Sequence, residues 1–110
     1  MFSREWKKGS TDLLVLSLLR NTPRHGYEIG KLIAQRSEMA LRFHSASIYP
    51  ALYRLEKRGW IRGYWQESNQ GRSRRYYKLT AEGRRAAESQ RANWRAFVLA
   101  LGKVMGLRYA

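Results

Sequence analysis

The sequence predicts a mainly α-helical fold with one small β-hairpin and a long C-terminal helix. Over residues 48–55, and again over residues 94–105, apolar residues recur every three or four positions, which is the period of a helix. From Ile61 to Leu79 the period falls to two, as strands require. The chain has 110 residues, which is enough for one domain with a modest core but too few for a roomy enzyme cleft.

The first helix is expected to follow a short arm, residues 1–9, that contains one large apolar side chain, Trp6. A freely exposed Trp is unfavourable, so we expect Trp6 to anchor the arm on a neighbouring helix. Ser10 or Thr11 can cap the first helix, with Asp12 near the positive end of its dipole. The run TDLLVLSLLR is apolar nearly all round, which places this helix at the centre of the core.

His25-Gly26-Tyr27 is expected to open a second helix that extends to about Arg36. Apolar residues alternate with others from Met39 to Phe43, which permits a short extended segment before the third helix. Three short helices with tight joints suit a helix-turn-helix core better than a bundle of long helices.

The third helix contains a proline that constrains where the helix begins. With Ser47 as the cap, Pro50 falls at the third helical position, where no intrahelical donor is lost. With Ser45 as the cap, Pro50 would remove a backbone hydrogen bond. Ser47 is therefore the predicted cap, which leaves Ser45 free to meet a phosphate. Apolar residues at helical spacing form the inner face, and these are Ile48, Ala51, Leu52 and Leu55.

A hairpin is predicted to follow, with strands in WIRGYWQ and RRYYKLT. Ile61, Tyr77 and Leu79 are expected on the face that closes over the helical core. The connection ESNQGRS is too long for a two-residue turn, and its Gly71 permits a positive φ. A polar, basic tip of this kind suits a wing better than a core hairpin.

One long helix is predicted to run from Thr80, its cap, to about Gly106. Its second half has an apolar stripe at three- and four-residue spacing, formed by Trp94, Phe97, Val98, Leu101, Val104 and Met105. The preceding domain has its own core, so this stripe needs a second surface. We expect that surface on another subunit, from its terminal or first helix. Packing of the stripe within one chain is the alternative.

Composition indicates an anionic partner. The net charge is +14, from 22 Lys and Arg against 8 Asp and Glu, and nucleic acid is favoured over a membrane surface. The apolar run of residues 13–19 is far shorter than the roughly 20 residues that cross a bilayer. Cysteine is absent, so no disulfide or thiolate site is possible. These features predict a soluble, cytoplasmic protein that binds nucleic acid.

No enzyme activity, metal or cofactor is predicted. The two histidines, His25 and His44, lie outside any metal-ligand pattern, and each is better explained by the start of a helix. The chain has no nucleophile elbow and no phosphate-binding glycine loop. Its sparse carboxylates suggest no acid–base pair.

Three stretches of the chain resemble the PadR family of bacterial transcription regulators, particularly its small members with a single C-terminal helix. They are LLVLSLLRNTPRHGYEIGKLI, SIYPALYRLEKRGWI and GRSRRYYKLTAEG, and together they span roughly residues 11–83 in the family's order. The middle motif is specific, because generic winged helices do not share its Tyr-Pro pair. Where the family usually has Gly, this chain has Ser45-Ala46, so the entry to the helix is expected to differ slightly.

The resemblance implies a winged helix-turn-helix fold and a homodimer built through the C-terminal helix. It also implies DNA binding, usually as a repressor and often relieved by a small molecule. On this basis, residues 1–79 form the DNA-binding domain and residues 80–110 the dimerisation helix. A dimer would place two third helices on a pseudo-palindromic operator with half-sites about one turn apart.

The predicted DNA contacts divide into base-facing and phosphate-facing side chains. The third helix enters the major groove, and Arg54 is the best candidate for reading guanine. The wing arginines neutralise phosphates, so affinity should fall steeply with salt. The predicted contact residues are Ser45, Ser47, Tyr49, Pro50, Tyr53, Arg54, Lys57, Arg72, Ser73, Arg74 and Arg75.

The predicted dimer interface could also hold a small-molecule effector. Its residues are Trp6, Trp94, Phe97, Val98, Leu101, Val104 and Met105. Trp94 and Phe97, facing their counterparts, would form either a flat slot for planar, apolar effectors or a closed dimer core. Two other functions stay open, since a basic, aromatic surface also suits single-stranded RNA. The fold could also serve a protein-interaction adaptor that does not read DNA.

Overall fold

The computed structural model describes residues 4–67 and 71–107, with side chains from Ser10 onward. Its elements are α1 Arg4–Leu18, β1 Arg24–His25, α2 Gly26–Arg36, α3 Ser45–Lys57, β2 Ile61–Glu67, β3 Ser73–Leu79 and α4 Ala81–Met105. This arrangement confirms the predicted fold of short helices, a small antiparallel sheet and a long C-terminal helix.

The core lies where α1, α2 and α3 meet the sheet. The predicted inner face of α3 is buried as expected, because residues three and four apart share one side of a helix. Ile61, Tyr77 and Leu79 close over it from the sheet, as predicted. The buried apolar residues are Val15, Leu16, Leu18, Leu19, Ile29, Ile33, Ile48, Ala51, Leu52, Leu55, Ile61, Tyr77, Leu79 and Ala87.

The sheet has three strands in the order β1-β3-β2, and both pairs are antiparallel. In the predicted hairpin, Ile61 pairs with Leu79 and Tyr64 with Tyr76. The third strand, β1, was not predicted, since two residues carry no readable period. It forms because β3 offers a free edge, on which His25 pairs with Tyr76.

The start of α1 corrects the sequence prediction. The helix begins at Arg4, so Ser10 and Thr11 lie inside it and do not cap it. The expected arm of residues 1–9 is therefore wrong for residues 4–9, whose backbone is helical. Glu and Lys favour helix, and a single interior Gly costs only about 1 kcal/mol, so the helix continues through this segment.

The start of α3 also differs from the prediction. The N–H groups of Ser47 and Ile48 both donate to the carbonyl of His44, over 2.8 and 3.1 Å. His44 is thus the N-cap, without a side-chain capping bond, and the prediction of Ser47 as the cap is wrong. Pro50 is the sixth helical residue, so it withholds a donor from the carbonyl of Ala46. Ala46 is exposed, and water can satisfy that carbonyl at small cost.

The first turn of α4 is fastened to the turn between α3 and β2. As predicted, Thr80 is the N-cap: its hydroxyl accepts from the N–H of Gly83 (2.9 Å) and donates to the carbonyl of Gly59 (2.6 Å). A Cβ on Gly83 would overlap the backbone carbonyl of Trp60. This close approach sets the direction of α4, whose 25 residues extend about 37 Å. The helix ends at Gly106 in the left-handed conformation (φ 73°).

His25 joins the start of α2 to the sheet. Its Nδ1 accepts the N–H of Glu28 over 3.2 Å, and its ring meets the ring of Tyr76 edge-on at 5.3 Å. Burial lowers the pKa of His25 below 6.5, Arg74 lowers it further, and Glu28 opposes the change. The neutral imidazole is the form that can accept this capping bond.

Gly83→Ala is expected to lower the free energy of unfolding by about 1–3 kcal/mol, the range for overpacking a tight site. The added methyl group must push α4 away from the Trp60 carbonyl. Urea unfolding followed by circular dichroism measures the change, with Ser89→Ala on the exposed side of α4 as the control. Equal midpoints for Gly83→Ala and the wild type would contradict the proposed close contact.

Protonation of His25 is expected to lower the stability of the folded protein as the pH falls. The pKa of His25 is lower in the folded protein than its ordinary value of 6.5 in the unfolded chain. Its contribution to the free energy of unfolding is therefore complete above pH 6.5 and is lost as the pH falls through the folded pKa. His25→Asn keeps a capping oxygen without this titration. Thermal unfolding between about pH 7 and about pH 5 should therefore show a flatter pH dependence for His25→Asn than for the wild type. Identical slopes would show that His25 does not couple protonation to folding.

Candidate nucleic-acid interface

The outward side of α3 is a continuous exposed strip. At 100° per residue, Ala46, Pro50, Tyr53 and Lys57 share the side opposite the buried residues, and all four are exposed. Tyr53 is 63% exposed, and the ammonium of Lys57 lies 5.4 Å from the centre of its ring. This strip, which we call the α3 face, presents mainly apolar and aromatic groups beside one cation.

Arg54 lies on the flank of α3 that is nearest α1. Its Nη2 donates to Oδ1 of Asp12 over 2.8 Å, and the two side chains are 48% and 25% exposed. Ser47 lies on the same flank of the helix and is exposed. The predicted base-reading arginine is therefore paired within the chain, and Arg54 must release Asp12 before it can use all its donors elsewhere.

Tyr49 lies on the other flank of α3, against the first residue of α2. A Cβ at Gly26 would come within 2.7 Å of atoms of the Tyr49 ring, so the ring occupies space that only glycine leaves open. Tyr49 is nevertheless 47% exposed. The position of this predicted contact residue thus depends on Gly26.

A groove of about 350 Å³ separates α2 from the start of α3. Its lining includes Lys31, Ser45 and Tyr49, so the structure brings two predicted contact residues together with Lys31, which was not among the predicted contacts. Lys31 gave no distinguishing signal in the sequence, because surface lysines at helical spacing are ordinary. Only the packing of α2 against α3 places it beside Ser45.

The hairpin is held against α3 by one carboxylate. Oε2 of Glu56 accepts the backbone N–H of Gly63 (3.0 Å) and Nη2 of Arg75 (3.1 Å). The guanidinium of Arg75 also lies 5.8 Å from the ring centres of both Trp65 and Tyr77. Arg75, a predicted phosphate contact, is thus committed to internal contacts that brace the wing.

Tyr77 remains a neutral core residue at the base of this arrangement. Burial raises the pKa of its phenol above the ordinary value, and the neighbouring Arg75 opposes that rise. A neutral phenol is the form that a buried site favours, because burial penalises the charged form.

The other wing residues point in different directions. Arg72 and Ser73 are exposed where β3 begins. They follow Gly71, which has a positive φ of 77°. Arg74 lies on the opposite side of β3 from Arg75, since successive side chains alternate. The hairpin tip, residues 68–70, lies outside the described residues.

Trp65 is an exposed wing residue that sequence reasoning missed. It shares a face with the buried Ile61, because side chains alternate along a strand, yet it is 66% exposed. Alternation predicts which face of a strand a residue takes, but not where along the strand the core ends. The large exposed fraction makes Trp65 available to a partner.

The predicted apolar stripe of α4 is largely exposed. Trp94 is 48% exposed, Phe97 52% and Val104 87%, and Val98 is half-buried. The remaining predicted stripe residues, Leu101 and Met105, are 40% and 64% exposed.

Trp94 and Phe97 have ring centres 5.7 Å apart. Together with Asp12 and Leu13 of α1 they help line a groove of about 420 Å³. The side chain of Trp6, which was predicted to join this surface, lies outside the described side chains.

Two further observations concern the described residues alone. Within residues 4–67 and 71–107, no helix is long and apolar enough to cross a membrane. In the same part of the chain, no group of three or more His, Cys, Asp or Glu side chains could hold a metal ion.

Comparison with known proteins identifies relatives over most of the chain. The model of the family described as "Transcriptional regulator PadR-like family" matches residues 15–89. An uncharacterized protein of Lysinibacillus sphaericus is 32% identical over 77 residues, which are 70% of this chain and 71% of the relative.

Solved structures agree with this match. A transcriptional regulator from Clostridium thermocellum has a TM-score of 0.82 at 30% identity, over 94% of this chain and 97% of that chain. A PadR family transcriptional regulator from Eggerthella lenta has a TM-score of 0.77 at 31% identity, over 92% of this chain and 86% of that chain.

Proposed function

Because the chain belongs to the PadR-like family of transcriptional regulators and is therefore a DNA-binding regulator, we propose that it acts as a homodimeric repressor on a pseudo-palindromic operator. The observation that carries this proposal is the exposed α3 face beside a basic hairpin that Glu56 holds in place. A helix of this kind fits the major groove while the wing lies along the backbone.

The α3 face supplies base contacts of two kinds. Ala46, Pro50 and Tyr53 offer apolar groups that suit thymine methyls. Arg54 can reach guanine once it leaves Asp12. An exposed ion pair is worth about 0–1 kcal/mol, whereas a bidentate arginine–guanine contact is worth about 1–3 kcal/mol, so the exchange of partners is favourable.

Phosphate contacts surround this helix on both sides. Ser45, Tyr49 and Lys31 line the groove at its start, where the helix dipole favours an anion. Ser47, on the opposite flank beside Arg54, and Lys57, at the end of the α3 face, supply the contacts of the other side. On the wing, Arg72 and Ser73 are exposed and free of the core. Arg75 stabilises the wing from within. Arg74, on the far side of β3, lies outside this operator surface.

The dimer is proposed to form through the apolar stripe of α4. Monomeric proteins rarely expose a contiguous apolar patch of this kind, and a second copy supplies a matching one by two-fold symmetry. Pairing along α4 then leaves both α3 faces free, as a palindromic operator requires. In this arrangement Trp6 would lie near the interface.

We propose that a small-molecule effector relieves the repression. The groove beside Trp94 and Phe97 has aromatic walls that suit a planar, apolar compound. A ligand there would contact α1 and α4 together, and so would bias the angle between the dimer helix and the DNA-binding domain. The competing use of this groove is to hold the partner's α4.

Two arginine variants test the division of DNA contacts. Arg54→Ala should change preference among operator sequences by about 1–3 kcal/mol at one position. Arg72→Ala should weaken binding to all sequences alike and reduce the salt slope by about one. Titrations of selected and unrelated duplexes at several salt concentrations measure both effects, with Arg91→Gln on α4 as the charge control. A uniform loss of affinity for Arg54→Ala would overturn its assignment to bases.

Phe97→Asp tests the dimer. The residue is half exposed in the single chain, so the variant should fold, while a buried charge at the interface should separate the subunits. We expect a monomer in analytical ultracentrifugation and a large loss of operator affinity. Ala92→Asp, at an exposed position of the same helix off the stripe, is the matched control. A dimeric Phe97→Asp would place the interface elsewhere.

A further inference from the structure

The sheet has an exposed side that the proposed operator contacts do not use. Because side chains alternate along a strand, this side is opposite the buried Ile61 and Tyr77, and so points away from α3. We call it the outer sheet face. Its members come from all three strands and are His25, Arg62, Tyr64, Gln66, Arg74, Tyr76 and Lys78.

Uncompensated positive charge is concentrated on the outer sheet face. Arg62 and Lys78 pair directly across the strands, are both exposed, and repel each other, which is destabilising for an antiparallel pair. None of the ion pairs within the described ranges involves Arg62, Lys78 or Arg74. No Asp or Glu occupies an outer-face position of β2 or β3 in the described part of the hairpin. An anionic partner would relieve this repulsion.

Aromatic rings pack against one another beside these cations. The rings of Tyr64 and Tyr76 stack with centres 6.2 Å apart, and the ring of His25 meets Tyr76 edge-on at 5.3 Å. The ammonium of Lys78 lies 5.7 Å from the centre of the Tyr64 ring. Strand pairing and ring contacts together limit the movement of the charged groups, which reduces the entropy lost on binding.

We infer that the outer sheet face is a second, sequence-independent binding site for the phosphate backbone of duplex DNA. Tyr64 and Tyr76 stack on each other and are half-buried, so they suit stacking on unpaired bases of single-stranded RNA poorly. Phosphates instead match the two exposed cations and the phenol hydroxyls. The face has no exposed apolar side chains of the kind that insert into a membrane.

The occupant is a second DNA segment rather than the one that α3 holds. The α3 face and the outer sheet face point in different directions, so one duplex would have to bend around the sheet to contact both. Bending a short site by 40–90° costs about 1–6 kcal/mol, and no other contact on the outer face offsets that cost. The protein would therefore bridge two duplexes. This inference rests on the proposed function only for the α3 site that holds the first duplex.

The test is capture of a second duplex by the operator-bound dimer. A selected operator duplex is immobilised and saturated with protein, and a labelled duplex of unrelated sequence is then added. The variant is Arg62→Gln with Lys78→Gln, and its control is Arg85→Gln with Arg91→Gln on the exposed side of α4. Each double variant carries two fewer positive charges than the wild type. Removing a like-charge pair relieves repulsion, so the outer-face variant should fold as stably as the wild type.

We expect the wild type and the α4 control to capture the second duplex, with capture falling as salt rises. The outer-face variant should lose capture by about tenfold or more, since two phosphate contacts are removed, while its affinity for the first duplex stays within about twofold.

Equal capture by the outer-face variant, or equal loss by the control, would overturn the inference. So would weaker operator binding by the outer-face variant, or displacement of the second duplex by single-stranded RNA at lower concentration than by duplex DNA. If the wild type fails to hold the operator at all, the proposed function itself is wrong.

Discussion

The carboxylate of Glu56 makes the contact on which the geometry of the proposed DNA-binding surface depends. It lies on the flank of α3 and accepts hydrogen bonds from the backbone of β2 and from Arg75 of β3. Hydrogen bonds to charged groups are worth about 1.5–3 kcal/mol when shielded, and less for this side chain, which is 35% exposed. The energy is modest, but the contact fixes the hairpin relative to the helix. A helix and a wing that moved independently would not match one DNA geometry.

The scarcity of carboxylates explains how the surface stays positive. Among the described side chains, four carboxylates form ion pairs, and each pair holds one arginine in place: Arg20, Arg24, Arg54 and Arg75. These arginines link parts of the fold, as Arg20, which follows α1, does by pairing with Glu88 of α4. Lys57 of α3 and Arg62 and Lys78 of the sheet take part in none of these pairs and are exposed, so phosphates can meet their charge. Arginines that brace the fold and arginines proposed to face DNA are thus distinguished by their neighbours and not by their type.

Local patterns predicted the elements well, and they failed where a local rule competed with a distant contact. Thr80 and the inner face of α3 were predicted correctly, because a cap and an apolar stripe depend on residues within a few positions. Ser47 was predicted as a cap from the position of Pro50, but the burial of Ile48 and its neighbours outweighs one missing backbone hydrogen bond. The strand at His25 has no sequence signal of its own. It exists because β3 has a free edge.

The sequence by itself determined the helices, the hairpin, the charge and the resemblance to a family, because each of these is written in short-range spacing and composition. Only the tertiary structure decided what each cation does. Arg54 meets Asp12 from α1, Arg75 meets Glu56 from α3, and Arg74 lies on the far side of the sheet. These partners are far apart in the chain, and one arginine looks like another until the packing of the elements brings a carboxylate within about 3 Å of it.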